Sequence, residues 1–123
     1  MFNFRYSTAS TRESLVARFE ATLARHALDC TVAWTGHGRP FLTPRGRLVE
    51  VAGAAIQAVG GPLPRLSTEG GTSDGRFIAD ICDEIVELGP INATIHKLDE
   101  RVAVADLEPL AAIYRGILER LLA

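Results

Sequence analysis

Phe2-Asn3-Phe4-Arg5-Tyr6-Ser7 opens the chain with apolar and polar residues in strict alternation. A period of two puts Phe2, Phe4 and Tyr6 on one face and predicts a half-buried strand that starts at once. Outward from it, Ser10 and Glu13 have capping-box spacing. Leu15, Phe19 and Leu23 then recur at helical intervals and predict an amphipathic helix to about Ala27. Cys30, Val32 and Trp34 alternate with Thr31, Ala33 and Thr35 and predict a second strand. Residues 1–35 therefore read as strand, helix, strand. Two strands and one helix cannot cover their own apolar faces, so upstream sequence or another chain is expected to complete the sheet.

Beyond Trp34 the composition changes. Gly36-His37-Gly38-Arg39-Pro40 and Pro44-Arg45-Gly46 are turn and linker chemistry, which places a hinge near residue 38. Leu48, Val51, Ala52, Ala55, Ile56 and Val59 predict a second helix stopped by Gly60-Gly61-Pro62. A short strand is expected over residues 65–68, then the loop Glu69-Gly70-Gly71-Thr72-Ser73-Asp74-Gly75, then a short helix through Phe77, Ile78 and Ile81. Ile85, Val86 and Leu88 read as a buried strand closed by Gly89-Pro90. A last helix is expected near Asp106 as N-cap, with Pro109 in its first turn and Leu110, Ile113, Ile117, Leu118 and Leu121 as its core face. The pattern as a whole predicts a mixed α/β (α+β) chain with four helices and about four strands.

The bulk numbers exclude several classes. The chain has 123 residues, 47% hydrophobic and 23% charged, as in ordinary globular proteins. Net charge is −2, the only lysine is Lys97 and the arginines are scattered, so no nucleic-acid footprint is expected. No apolar run approaches the length of a membrane span, and no signal layout is visible, which predicts a cytoplasmic protein. In that reducing compartment Cys30 and Cys82 are expected to be buried thiols, a disulfide being the alternative if the chain is exported, and they lack the spacing of a metal site.

Three places could carry chemistry. The consecutive glycines before Thr72-Ser73-Asp74 would let backbone amides approach a ligand, although Thr72 or Ser73 reads on local chemistry as a helix cap. Asn92-Ala93-Thr94-Ile95-His96 follows the expected buried strand, where open α/β sheets bind ligands. His96 is a candidate zinc ligand and Asn92 a candidate hydrogen-bond partner, while spacing alone favours a solvated loop histidine. Arg5, on the polar face of the first segment, could clamp a carboxylate or simply face water. His26 and His37 have no ligand-type neighbour in sequence.

Four blocks together carry a resemblance. They are Phe2-Asn3-Phe4-Arg5-Tyr6-Ser7-Thr8, Trp34 with Gly38-Arg39-Pro40-Phe41-Leu42-Thr43, Gly70-Gly71-Thr72-Ser73-Asp74-Gly75-Arg76-Phe77-Ile78, and Val86-Glu87-Leu88-Gly89-Pro90-Ile91-Asn92-Ala93-Thr94-Ile95-His96-Lys97. In order and over essentially the whole chain they resemble the dizinc amidohydrolases of the aminoacylase and acetylornithine deacetylase kind, in their succinyl-diaminopimelate desuccinylase branch. The resemblance implies a C-terminal fragment. Residues 1–38 would be the last strand–helix–strand of a two-layer α+β dimerisation domain, and residues 39–123 the C-terminal α/β part of a catalytic domain. It implies His96 as a zinc ligand, Gly71, Thr72 and Asn92 as substrate-lining residues, and Arg5 as the partner of a substrate carboxylate.

The complete enzymes of that branch release succinate from N-succinyl-diaminopimelate in diaminopimelate and lysine biosynthesis. They use two zinc ions and a glutamate base, and act as homodimers. The resemblance places that base and the other metal ligands upstream of this chain. One histidine cannot hold zinc tightly, since each zinc takes about four ligands, so the isolated chain is expected to be inactive. Two other readings stay open: a non-catalytic dimerisation module on the same scaffold, and a related acyl-amino-acid deacylase such as an acetylornithine deacetylase.

Overall fold

Helix α1 (Arg12–Arg25) starts from a reciprocal capping box. The Thr11 hydroxyl accepts from the Ser14 amide at 3.1 Å, and the Ser14 hydroxyl accepts from the Thr11 amide at 3.1 Å. The pair expected one residue earlier, Ser10 with Glu13, is not used. The Ser10 amide is already committed to the Ser7 carbonyl at 3.1 Å, which leaves Thr11 as the last extended residue, with φ −114° and ψ 160°. The helix ends with the Leu28 amide on the Leu23 carbonyl at 3.1 Å and the Ala27 amide on the Ala24 carbonyl at 3.0 Å. That six-to-one closure holds Ala27 at φ +50°, the left-handed position that glycine usually takes.

The computed structural model describes residues 1–36, 38–69 and 73–123, and these fall into two compact units, Met1–Leu42 and Thr43–Ala123. In the first unit the segments flanking α1 lay their aromatic rings on it. Phe2 and Phe4 stand 6.1 and 5.7 Å from Phe19, and Trp34 stands 5.3 Å from Phe19 and 6.1 Å from Phe4. The Trp34 indole Nε1 donates to Glu20 Oε1 at 3.2 Å, so its polar edge is satisfied. Leu15, Phe19 and Leu23 are half-buried, as their spacing predicts.

The strands expected at residues 2–7 and 30–35 do not form, nor do those at 65–68 and 85–88. Among the described residues there is no strand, only helices and turns, so the mixed α/β class is not realised in them. The reason is physical. Alternation fixes which side chains share a face, and the rings do share one. A strand also needs a backbone neighbour for its amides and carbonyls, and no ladder forms between these segments.

The second unit is built on α2 (Arg47–Ala58) and α4 (Leu107–Leu122), with the short α3 (Gly75–Ile78) and a 3₁₀ turn, Val104–Asp106, between them. Helices α2 and α4 pack on each other. Arg47 at the start of α2 donates to the Arg120 and Leu121 carbonyls at 3.0 and 3.3 Å, so a cation caps the C-terminal end of α4. Ala55 lies where α4 carries Gly116; a Cβ there would stand 3.5 Å from the Ala55 methyl. With both contacts satisfied, the helices run antiparallel. Ala52 and Ala55, 5% and 1% exposed, are the buried hydrophobic residues among those described.

On α4, Leu110, Ile113, Ile117 and Leu121 are half-buried as expected, but Leu118 is 57% exposed. Asp106 is the N-cap residue as its position suggests, yet its side chain makes no cap bond. The preceding 3₁₀ turn already holds it in a helical conformation, φ −82° and ψ −16°. Helix α2 stops where Gly60-Gly61-Pro62 predicts. The Gly61 amide reaches the Ile56 carbonyl at 3.0 Å, with Gly60 at φ +81°. Helix α3 is shorter than expected: it ends at Ile78, and Ile81 is 85% exposed in the following turn. Cys30 and Cys82 are free thiols but exposed, not buried: the strand expected to bury Cys30 does not form, and Cys82 follows the exposed turn after α3. Among the described residues no helix is long and apolar enough to cross a membrane.

Candidate functional site

The chain leading to His96 is anchored by side chains where a sheet ladder was expected. The Thr43 hydroxyl donates to the Ile85 carbonyl at 2.6 Å and accepts from the Ile85 amide at 3.0 Å. Glu84 Oε2 accepts from the Leu48 amide at 3.1 Å and so caps the start of α2 from outside. Gly46 makes room for that carboxylate: a Cβ there would lie 1.8 Å from Glu84 Oε1. At the other end of the segment the Tyr114 hydroxyl donates to the Leu88 carbonyl. Residues 84–88 are thus tied to the start of α2 and to α4, and Gly89-Pro90 turns the chain into the loop beyond.

Asn92 and His96 both lie on that loop, residues 92–101. The Ile95 amide donates to the Asn92 carbonyl at 3.1 Å and the Lys97 amide to the Thr94 carbonyl at 3.0 Å, two overlapping turns that carry both side chains. Lys97 Nζ donates to the Ala93 carbonyl at 2.9 Å. The His96 amide faces Glu100 Oε2 at 3.4 Å, and the Thr94 hydroxyl bonds both backbone groups of Arg101. His96 and Asp99 adopt left-handed backbone, φ +58° and +57°. Asn92 and His96 are exposed, and Thr94 is half-buried. Sequence reading singled out Asn92 and His96 but missed Thr94 and Glu100, whose roles rest on pairings across the loop. Their only trace in sequence is a hydroxyl and a carboxylate flanking a histidine.

The remaining candidates lie elsewhere. Arg5 is exposed in the first unit, on the segment that presents Phe4 to Phe19. Gly71 and Thr72 lie outside the described residues. Next to them, Ser73 accepts from the Gly75 amide at 3.1 Å and its hydroxyl meets the Glu87 carboxylate. Ser73 thus forms a local turn just before α3, whose N-cap residue is Asp74 and carries no side-chain cap bond, so the cap expected from Ser73 is not made.

The fit to zinc can be tested on the donors themselves. His96 offers an accessible imidazole of the right chemistry for one ligand. Among the described residues no group of three or more His, Cys, Asp or Glu side chains is placed to hold a metal ion. A zinc shell takes about four such donors, so these residues do not by themselves fit a zinc site.

Comparison with known proteins agrees with the order of the motifs. A family model described as Peptidase family M20/M25/M40 matches residues 7–120. Proteins named succinyl-diaminopimelate desuccinylase from Cupriavidus taiwanensis and Nitrosomonas europaea are each 61% identical over 122 residues, covering 99% of this chain and 32% of their own length. The protein of the same name from Methylobacillus flagellatus is 61% identical over the same share. The chain thus spans about a third of the length of the curated relatives it matches.

Proposed function

Because the chain belongs to peptidase family M20/M25/M40, we propose that it forms about a third of a succinyl-diaminopimelate desuccinylase, the length it shares with its relatives of that name. The reaction is hydrolysis of the succinyl amide of N-succinyl-diaminopimelate to succinate and diaminopimelate, a cytoplasmic step in diaminopimelate and lysine biosynthesis. The observation that carries this reading is the 61% identity held over 99% of the chain.

Within that enzyme, residues 1–38 belong to a dimerisation domain and residues 39–123 to a catalytic domain, and the complete protein is a mixed α/β homodimer. His96 supplies one zinc ligand. Asn92, with Gly71 and Thr72, lines the substrate site, and Arg5 pairs with a substrate carboxylate. The other metal donors and the general base come from parts of the enzyme beyond these 123 residues. Exposed side chains support the view that neighbouring elements cover this segment: Phe2, Ile81, Leu98, Val104 and Leu122 are each more than 80% exposed.

The test is a replacement. This chain is exchanged for the matching part, about a third, of the Nitrosomonas europaea desuccinylase, and hydrolysis of N-succinyl-diaminopimelate is measured beside that of N-acetylornithine. The hybrid is expected to hydrolyse the succinyl substrate preferentially and to lose turnover with His96→Ala, while the 123-residue chain alone shows none. A folded hybrid without turnover, or one unaffected by His96→Ala, would overturn the reading. Preference for the acetyl substrate would move it to the deacetylase branch.

A further inference from the structure

The Thr94 hydroxyl donates to the Arg101 carbonyl at 2.8 Å and accepts from the Arg101 amide at 3.0 Å. One side-chain oxygen thus satisfies both backbone groups of a distant residue, as Thr43 does for Ile85. Between the two ends of this clamp the chain passes through His96 at φ +58° and Asp99 at φ +57°. A left-handed residue other than glycine is strained, and such a conformation persists only where its surroundings over-determine it. The clamp supplies that constraint. With Thr94 bound to Arg101 on one side and to the Lys97 amide on the other, the intervening turn has little freedom to relax to negative φ. The sign of φ at His96 sets the direction in which its imidazole leaves the backbone.

We propose that Thr94 is a positioning residue: its double hydrogen bond to Arg101 closes the loop and holds His96 left-handed, so that the imidazole is presented in one direction. The inference rests on the reading of His96 as a functional side chain. Thr94 serves through its hydroxyl, which valine lacks and serine keeps, while its β-branch limits the rotamers that the hydroxyl can occupy.

The test uses Thr94→Val, Thr94→Ser and His96→Ala in two settings. In the 123-residue chain, amide exchange at Arg101 and the amide-to-α-proton coupling of His96 are followed by NMR. Thr94→Val is expected to speed Arg101 exchange roughly fivefold and to change the His96 coupling, as loss of about 1 kcal/mol of hydrogen bonding implies. Thr94→Ser keeps most of both. In the desuccinylase hybrid, Thr94→Val is expected to lower kcat by about tenfold to a hundredfold with KM little changed, since small misplacements of a reacting group act on turnover, and Thr94→Ser is expected to restore it. Unchanged Arg101 exchange in Thr94→Val would overturn the clamp, whatever His96 does. Raised exchange with unchanged kcat, where His96→Ala abolishes turnover, would overturn the positioning role and leave the reading of His96 standing. Turnover untouched by His96→Ala would remove that reading and the positioning role with it.

Discussion

Helices α1 and α2 stop by the same device and are held by opposite means. Each ends in a six-to-one turn with a left-handed residue, Ala27 after α1 and Gly60 after α2. Beyond that they diverge. Helix α1 has no buried residue and is held by large rings from both flanking segments gathered on Phe19. Helix α2 buries the small residues Ala52, Gly53 and Ala55, and Ala55 meets α4 at Gly116. Its N-terminal end is capped by a carboxylate from a segment distant in sequence. An aromatic cluster spreads its stabilisation over a wide, half-exposed surface. A small-residue seam concentrates it in close approach, where added volume has nowhere to go.

Four substitutions press on that difference. Phe19→Ala removes the ring that Phe2, Phe4 and Trp34 all touch. It is expected to cost about 3 kcal/mol, at the lower end for a deleted core aromatic because Phe19 is only half-buried. The readout is the denaturation midpoint followed by Trp34 fluorescence. A loss under about 1 kcal/mol would mean that the rings are not what holds α1. Ala55→Leu forces methylenes into the approach of α2 to α4 and is expected to cost about 2 kcal/mol, read as a lower helical melting midpoint by circular dichroism. If Ala55→Leu is neutral, the seam is loose and the contrast with α1 disappears.

The shared helix stop gives the smaller tests. Gly60→Ala is expected to destabilise by about 1 kcal/mol, because φ +81° lies beyond the left-handed region that a Cβ tolerates best. Ala27→Gly is expected to stabilise by about 0.5 kcal/mol. There φ is +50°, nearer that region, and the relief is offset by the greater freedom of glycine in the unfolded chain. Amide exchange at Gly61 and Leu28, the residues that close the two turns, reports each effect locally. Equal and opposite changes would mean that the backbone angle does not distinguish the two stops.

Much of the architecture was legible from local pattern. The four-residue recurrence of Leu15, Phe19 and Leu23 marked α1, and Gly60-Gly61-Pro62 marked the end of α2, because both signals act within one or two turns of chain. The alternation of Phe2, Phe4 and Trp34 marked rings that do meet. It could not supply the backbone neighbour that makes a strand. Asn92 and His96 were legible as candidates because they sit in a motif. Thr94 and Glu100 were not, because a hydroxyl shows its role only once the chain has folded back to Arg101.

Sequence by itself determined the helical segments, the family and the shared loop of Asn92 and His96, since these rest on residue identity and short-range geometry. Tertiary structure alone decided that Thr11 caps α1, that Glu84 caps α2 and Arg47 caps α4, that Thr43 stands in for a ladder partner of Ile85, and that Thr94 closes its loop on Arg101. In each case several residues of suitable chemistry were available along the chain, and only the folded backbone fixed which of them lay within hydrogen-bonding distance.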